Sequence, residues 1–224
     1  ISIVFRADQM RDAPPNAHAA LMDQTYRYQR IFYDLTRKYY LFGRDALIDD
    51  LAPDADAHVL ELACGTGRNL QLAEGKYPDC TFYGLDISSE MLVSAGKKLG
   101  TRVALAQADA CHFEAAQLFG RDAFDRIFIS YGSSMIPDWQ QALRQAFGAL
   151  APGGTLHVVD FSNLEGWPGW CRGLLHRWLT KFHVSPRLEL ASELDKIARE
   201  LGGRAQCRQL YRGYAQYGIL RKTG

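Results

Sequence analysis

One stretch limits the fold more than any other. Val59-Leu60-Glu61-Leu62-Ala63 passes into Cys64-Gly65-Thr66-Gly67 and then into Arg68-Asn69-Leu70. An apolar strand cannot run straight through Gly-x-Gly. Two residues without Cβ let the backbone turn sharply and let a ligand come close to it. The residues beyond the turn have helical spacing, so the unit reads strand, turn, helix. The alternation then repeats. Strands are predicted over 59–63, 81–85, 103–107, 126–131 and 155–161, and helices over 67–73, 90–99 and 140–150. Ser88 is the expected N-cap of the second helix, and Pro152-Gly153-Gly154 the expected stop of the third. Strands separated by helices imply a parallel sheet covered on both faces. The end differs. A helix over 192–201 stops at Gly202-Gly203, and strands over 205–211 and 214–221 join through Arg212-Gly213 as a hairpin. The predicted class is α/β: a doubly wound, Rossmann-like, seven-stranded sheet, mostly parallel, with an antiparallel C-terminal hairpin and N-terminal helices.

Three regions are expected. Residues 1–16 form a tail ending in Pro14-Pro15-Asn16. Residues 17–52 form a helical cap, with Tyr28, Phe32, Leu35, Tyr39 and Phe42 at helical spacing and Gly43 as a break. Residues 53–224 form the sheet domain, interrupted by an insertion over 162–187. Composition excludes several classes. The net charge of +1 gives no field to attract nucleic acid. No apolar run approaches the roughly 18 residues that cross a bilayer. Residues 1–10 lack a signal-peptide apolar stretch, so a cytoplasmic location is expected for a chain that, lacking an initial Met, is read as trimmed. The five cysteines show no CxxC spacing, and no histidine pair has metal spacing, so no metal is expected. Cys64 is expected to pack, Asp125 to bond a neighbouring turn, and Arg68 to be solvated.

The chemistry follows from two carboxylates. Asp86 stands twenty-one residues beyond Gly65, at the end of the second strand, where it can accept from both hydroxyls of a ribose. Glu61 lies in the strand leading to the turn. The dinucleotide fingerprint needs a third glycine, and Leu70 occupies that position. A carboxylate beside the loop repels a pyrophosphate and suits a cationic ligand. A nicotinamide oxidoreductase is therefore disfavoured.

This segment resembles motif I of the class I S-adenosylmethionine methyltransferases, and the resemblance extends over about residues 57–160. It implies S-adenosylmethionine as cofactor and S-adenosylhomocysteine as product. It implies that Glu61, Gly65, Thr66, Gly67 and Ser130 line the cofactor, with Asp86 on the ribose. Ile87 and Met91 would flank the adenine, and Asp109-Ala110 would meet its amino group. Phe124-Asp125 and Leu150-Ala-Pro-Gly-Gly154 match the lead-ins to strands four and five, and the hairpin matches the family's reversed last strand.

The acceptor is read from Tyr26–Arg44, where seven aromatic and five basic residues surround Asp34. Tyr33-Asp-Leu-Thr-Arg-Lys-Tyr-Tyr-Leu-x-Gly-Arg44, followed by Cys-Gly-Thr-Gly-Arg-Asn69, resembles the methyltransferases that make betaine lipids by trimethylating the amine of diacylglyceryl-homoserine. That resemblance is close over about residues 22–70. It implies Tyr33, Arg37 and Tyr40 over the cofactor and acceptor, with Arg44 nearby; Tyr33, Arg37 and Tyr40 are read as catalytic, and Arg44 and Tyr131 as contacts of the acceptor. Aromatic faces suit a growing positive charge, and an Arg fork suits a homoserine carboxylate. Residues 165–183 mix Trp167, Trp170, Trp178 and Phe182 with Arg172, Arg177 and Lys181, a pattern for peripheral contact with the inner face of an anionic membrane or for a substrate lid. Three rivals stand. One is an N- or O-methyltransferase of a soluble small molecule. A nucleic-acid methylase would place a Pro-Pro-aromatic loop after strand four, where Ser130-Tyr-Gly-Ser-Ser134 stands. A non-catalytic nucleotide-binding module would not need Glu61, Gly65, Gly67 and Asp86 together.

Overall fold

A computed structural model describes residues 41–170, 173, 174, 177 and 185–224. The tail expected over 1–16 and most of the cap expected over 17–52 lie outside the described residues. The elements run α1 (Arg44–Leu51), β1 (His58–Leu62), α2 (Arg68–Lys76), β2 (Thr81–Asp86), α3 (Ser89–Leu99), β3 (Val103–Gln107), α4 (Ala115–Phe119), β4 (Phe124–Ser130), α5 (Trp139–Gly148), β5 (Leu150–Phe161), α6 (Leu190–Leu201), β6 (Gly203–Leu210) and β7 (Ala215–Lys222).

The strands form a seven-stranded sheet in the order β3-β2-β1-β4-β5-β7-β6. β1 to β5 are parallel, and the β6–β7 hairpin is antiparallel and pairs with β5. The predicted architecture is the one observed. Its cause is burial on both faces: β1, β2, β4 and β5 are nearly continuous apolar runs, as parallel strands between helical layers must be. One core packs α5 and α6 on the sheet with Leu143, Phe147, Leu194 and Ile197. The other packs α1, α2 and α3 on the opposite face with Leu47, Leu70, Ala95 and Leu99. Strand order reverses between β1 and β4. That is where a doubly wound sheet opens a crevice at its carboxyl ends.

Local signals explain several boundaries. Ser88 Oγ accepts from the Met91 amide at 3.3 Å, the expected cap of α3. Asp138 caps α5 in the same way. Asp125 Oδ2 accepts from the His58 amide at 2.8 Å and ties the start of β1 to β4. Two elements depart from the sequence reading. β5 begins at Leu150, ahead of the Pro-Gly-Gly that looked like a loop. Leu150 pairs with Phe124, and a register shift then brings Thr155 opposite Arg126, so the glycines lie inside a bulged strand. α4 was not predicted, because five residues are too few to show a helical period.

Candidate cofactor and acceptor site

The turn after β1 is built by backbone geometry. Gly65 and Gly67 have φ of 54° and 72°, the left-handed region where a Cβ is costly. The two glycines answer different needs. A Cβ on Gly67 would lie 2.6 Å from Leu99 Cδ1 and 3.1 Å from Ala95 Cβ, so this glycine lets α3 approach. A Cβ on Gly65 would meet nothing within 4 Å, so this glycine faces open space.

Asp86 braces the turn. The Gly65 amide donates to Asp86 Oδ2 at 2.7 Å, and the Ser88 amide donates to Oδ1 at 2.9 Å. The carboxylate is 7% exposed, and each of its oxygens has two lone-pair directions. Asn69, at the start of α2, donates to Glu61 Oε1 at 2.7 Å, which places Glu61 directly beneath the turn. Lys98 Nζ lies 3.4 Å from Thr66 Oγ1. Cys64 is buried; desolvation, then the charges of Asp86 and Glu61, push its thiol well up, so it stays protonated and packs.

Across the crevice, Met91 is buried and Ile87 half-buried beyond Asp86. Gln107 Nε2 donates to the Ile87 carbonyl at 3.0 Å. The Ala108 amide donates to the Asp86 carbonyl at 3.1 Å, and Asp109 Oδ1 accepts from the Cys111 amide at 2.9 Å. Ala110 is buried beside them. Burial, then Asp109, pushes the Cys111 thiol to about 12. One end of this crevice is therefore acidic and braced by amides, and the other is apolar.

The fit to a nucleoside cofactor rests on two features. One is the open ground above Gly65. The other is Ser130 Oγ, buried at the end of β4 with no hydrogen-bond partner among the described residues. Such a group needs a partner to offset its desolvation. A cofactor with an adenine, a ribose diol and a cationic amino-acid tail matches an apolar pocket, Asp86 and Glu61 in that order. No group of three or more His, Cys, Asp or Glu side chains among the described residues is arranged to hold a metal ion.

The residues expected on the acceptor side are Tyr33, Arg37, Tyr40, Arg44 and Tyr131. Tyr33, Arg37 and Tyr40 lie outside the described residues. Tyr131 was predicted to touch the acceptor. It is 1% exposed, packs edge-on to Phe161 at 4.6 Å, and its hydroxyl donates to the Phe42 carbonyl. Burial raises its phenol well above the ordinary value. That hydroxyl therefore fastens the chain entering α1. Arg44 is buried too, and its Nε donates to the Leu41 carbonyl at 3.1 Å. Phe42, Trp167, Tyr211 and Tyr214 form a ring cluster beside them, with centroids 5.1 to 6.0 Å apart.

Sequence reasoning missed two residues here. Asp160 is fully buried; it accepts from Ser133 Oγ and, at 2.8 Å, from the Ser134 amide. Burial raises its carboxyl, against four hydrogen bonds that lower it. A carboxylate inside the apolar run Val158-Val159-Asp160-Phe161 was the available signal. Arg187, in the patternless insertion, gave none. His157 is structural. Its ring lies 2.6 Å from the Tyr217 hydroxyl and 2.9 Å from Thr155 Oγ1, and burial lowers its pKa to about 3.

Comparison with known proteins agrees with this arrangement. The family described as methyltransferase domain matches residues 59–154. The ubiquinone/menaquinone biosynthesis C-methyltransferase of Roseobacter denitrificans is 33% identical over 186 residues, covering 76% of this chain and 71% of that one. The demethylmenaquinone methyltransferase of Listeria monocytogenes is 31% identical over 144 residues, 62% of this chain. The chain spans about 60% of the length of that relative. Among solved structures, a phosphoethanolamine N-methyltransferase of Haemonchus contortus, in complex with phosphomonomethylethanolamine and S-adenosylhomocysteine, shares the fold. Its TM-score is 0.68 at 15% identity, over 89% of this chain and 59% of that one. The chain belongs to the S-adenosylmethionine-dependent methyltransferases.

Proposed function

We propose that the protein transfers methyl groups from S-adenosylmethionine to the amine of diacylglyceryl-homoserine, forming a trimethylated betaine lipid. The observation that carries the acceptor is the run from Tyr33 to Arg44. The described end of that run supports it. Leu41, Phe42 and Arg44 sit at the carboxyl end of β4, where Tyr131 holds the Phe42 carbonyl.

The same proposal assigns roles to the residues of the crevice. Bound in the crevice, the cofactor supplies a sulfonium methyl for in-line displacement. Asp86 would hold the ribose, Glu61 the amino-acid tail, and Ile87, Met91, Asp109 and Ala110 the adenine. The Gly65 turn would let the ligand lie against the backbone. The protein's task is then to orient a neutral amine and exclude water. Aromatic faces stabilise the cation that builds as methyls are added. Among the described residues, Trp167, Trp170 and Leu174 are 37%, 73% and 65% exposed, which supports contact with a lipid surface. No described helix is long and apolar enough to cross a membrane.

A second acceptor is favoured by the relatives. Those named above are quinone C-methyltransferases, which makes a ring carbon of a prenylated quinol the alternative. Labelled S-adenosylmethionine, offered with diacylglyceryl-homoserine and with reduced demethylmenaquinone, separates the two. Label in a trimethylated lipid is the expected outcome. Label in the quinone alone would move the acceptor to carbon. Tyr33→Phe and Tyr40→Phe are expected to lower turnover more than cofactor affinity; equal losses in both would remove them from the acceptor side.

A further inference from the structure

The insertion leaves the sheet after β5 and returns before α6, and its two ends are fastened differently. The outgoing end is zipped to the β6–β7 turn. The Ser162, Leu164 and Gly166 amides donate to the carbonyls of Tyr214, Gly213 and Arg212 at 3.0, 2.7 and 3.1 Å. Trp167 Nε1 adds a bond to the Tyr211 carbonyl at 3.0 Å. The returning end meets the loop after β4. There the Ser185 amide donates to the Ser134 carbonyl at 3.2 Å, and the other named bonds come from one side chain. Arg187 Nε donates to the Ser133 carbonyl at 3.0 Å and its NH2 to the Ile136 carbonyl at 2.8 Å. Its guanidinium also lies 5.9 Å from the centre of the Trp139 ring, at the start of α5.

That arginine is itself held. Gln216 Nε2, buried on β7, donates to the Arg187 carbonyl at 2.7 Å and to the Phe161 carbonyl at 3.0 Å. Asp160 holds the same loop from beneath, through Ser133 Oγ and the Ser134 amide. The Asp160 charge also attracts the Arg187 guanidinium. The loop after β4 is thus clamped between a carboxylate at the end of β5 and a guanidinium from the insertion. This loop begins directly after β4 with Tyr131, the residue expected to touch the acceptor.

We infer that Arg187 is a positioning residue: it fastens the returning end of the insertion to the loop over 131–136, and so sets acceptor binding while leaving the cofactor pocket alone. The inference rests on the methyl-transfer reading only for its kinetic consequence. A planar fork can satisfy two carbonyls at once, and a lysine ammonium on a flexible stem cannot reproduce that geometry. No described contact of Arg187 reaches Gly65, Glu61 or Asp86.

The test compares Arg187→Lys and Arg187→Ala with the parent chain. Hydrogen exchange at 133–136 is read without any acceptor. KM for diacylglyceryl-homoserine and Kd for S-adenosylhomocysteine are read separately. Both variants are expected to speed exchange at 133–136 by about tenfold, as loss of one charge-assisted bond implies, with 64–69 unchanged. KM is expected to rise by a similar factor and Kd to stay within about twofold. Lysine is expected to restore thermal stability but not KM. Unchanged exchange in Arg187→Lys would overturn the inference, as would equal losses in Kd and KM. Faster exchange in a protein that does not methylate diacylglyceryl-homoserine would uphold the fastening and defeat the proposed acceptor.

Discussion

The cofactor side and the acceptor side of this crevice are made in different ways. On the cofactor side, polar contacts join residues near in sequence. Asn69 reaches Glu61 over eight residues, Cys111 and Ser88 each reach an aspartate two residues back, Gly65 reaches Asp86 over 21, and the longest of those named, Lys98 to Thr66, spans 32. On the acceptor side the contacts are long-range. Ser133 to Asp160 spans 27 residues, Arg187 to Ser133 spans 54, and Tyr131 to Phe42 spans 89. A pocket coded mostly within consecutive strand–turn–helix units tolerates change elsewhere in the chain. A pocket assembled from distant loops takes its shape from everything that holds those loops.

The largest expected effect breaks the cofactor side alone. Asp86→Ala removes the proposed ribose acceptor and the brace of Gly65. It is expected to weaken S-adenosylhomocysteine by about 100-fold, close to 3 kcal/mol, in calorimetric titration. Near-normal affinity would refute its role. The two glycines come next. Gly67→Ala is expected to cost about 2 kcal/mol of stability in denaturant melts, because it adds a clash with Leu99 to an unfavourable φ. Gly65→Ala is expected to cost about 1 kcal/mol of stability, from φ alone, yet to lower cofactor affinity more than Gly67→Ala does. The reverse ranking would exchange their roles.

On the acceptor half, His157 makes stability depend on pH. Its folded pKa of about 3 lies below the unfolded value, so the unfolded chain binds more protons across that window. The neutral ring's contribution is present above pH 6.5 and is lost as pH falls toward 3. Asp160 has the opposite sign: its raised carboxyl favours the fold at low pH, and that contribution fades as pH rises through its folded pKa. Comparing the parent with His157→Gln cancels the Asp160 share. The parent is expected to lose about 2 kcal/mol relative to the variant between pH 7 and pH 5. The smallest effect is Tyr131→Phe, which removes one bond to the Phe42 carbonyl. About 1 kcal/mol of stability is expected to go, with cofactor affinity intact. A loss of cofactor affinity would join the two sides that the geometry separates.

The same contrast explains what could be read from the sequence. β1, the Gly-x-Gly turn and Asp86 were legible because strand period, glycine and an acid at fixed spacing are local facts. The hairpin was legible because Arg212-Gly213 marks its turn. β5 was read too short because Pro152-Gly153-Gly154 imitates a loop, and only pairing with Phe124 keeps Leu150 in the sheet. Tyr131 was expected to touch the acceptor. The destination of its hydroxyl depends on a carbonyl 89 residues away. Arg187 carries no local signal at all, since its partners are main-chain carbonyls that any residue would provide.

The central claim is a pocket for a nucleoside with a cationic tail, lacking the third glycine that a pyrophosphate would need. The most direct measurement titrates S-adenosylhomocysteine and NAD separately into the protein. The account expects saturable binding of S-adenosylhomocysteine at micromolar concentration, as is ordinary for enzyme ligands, and none of NAD. Binding of NAD with no binding of S-adenosylhomocysteine would contradict it.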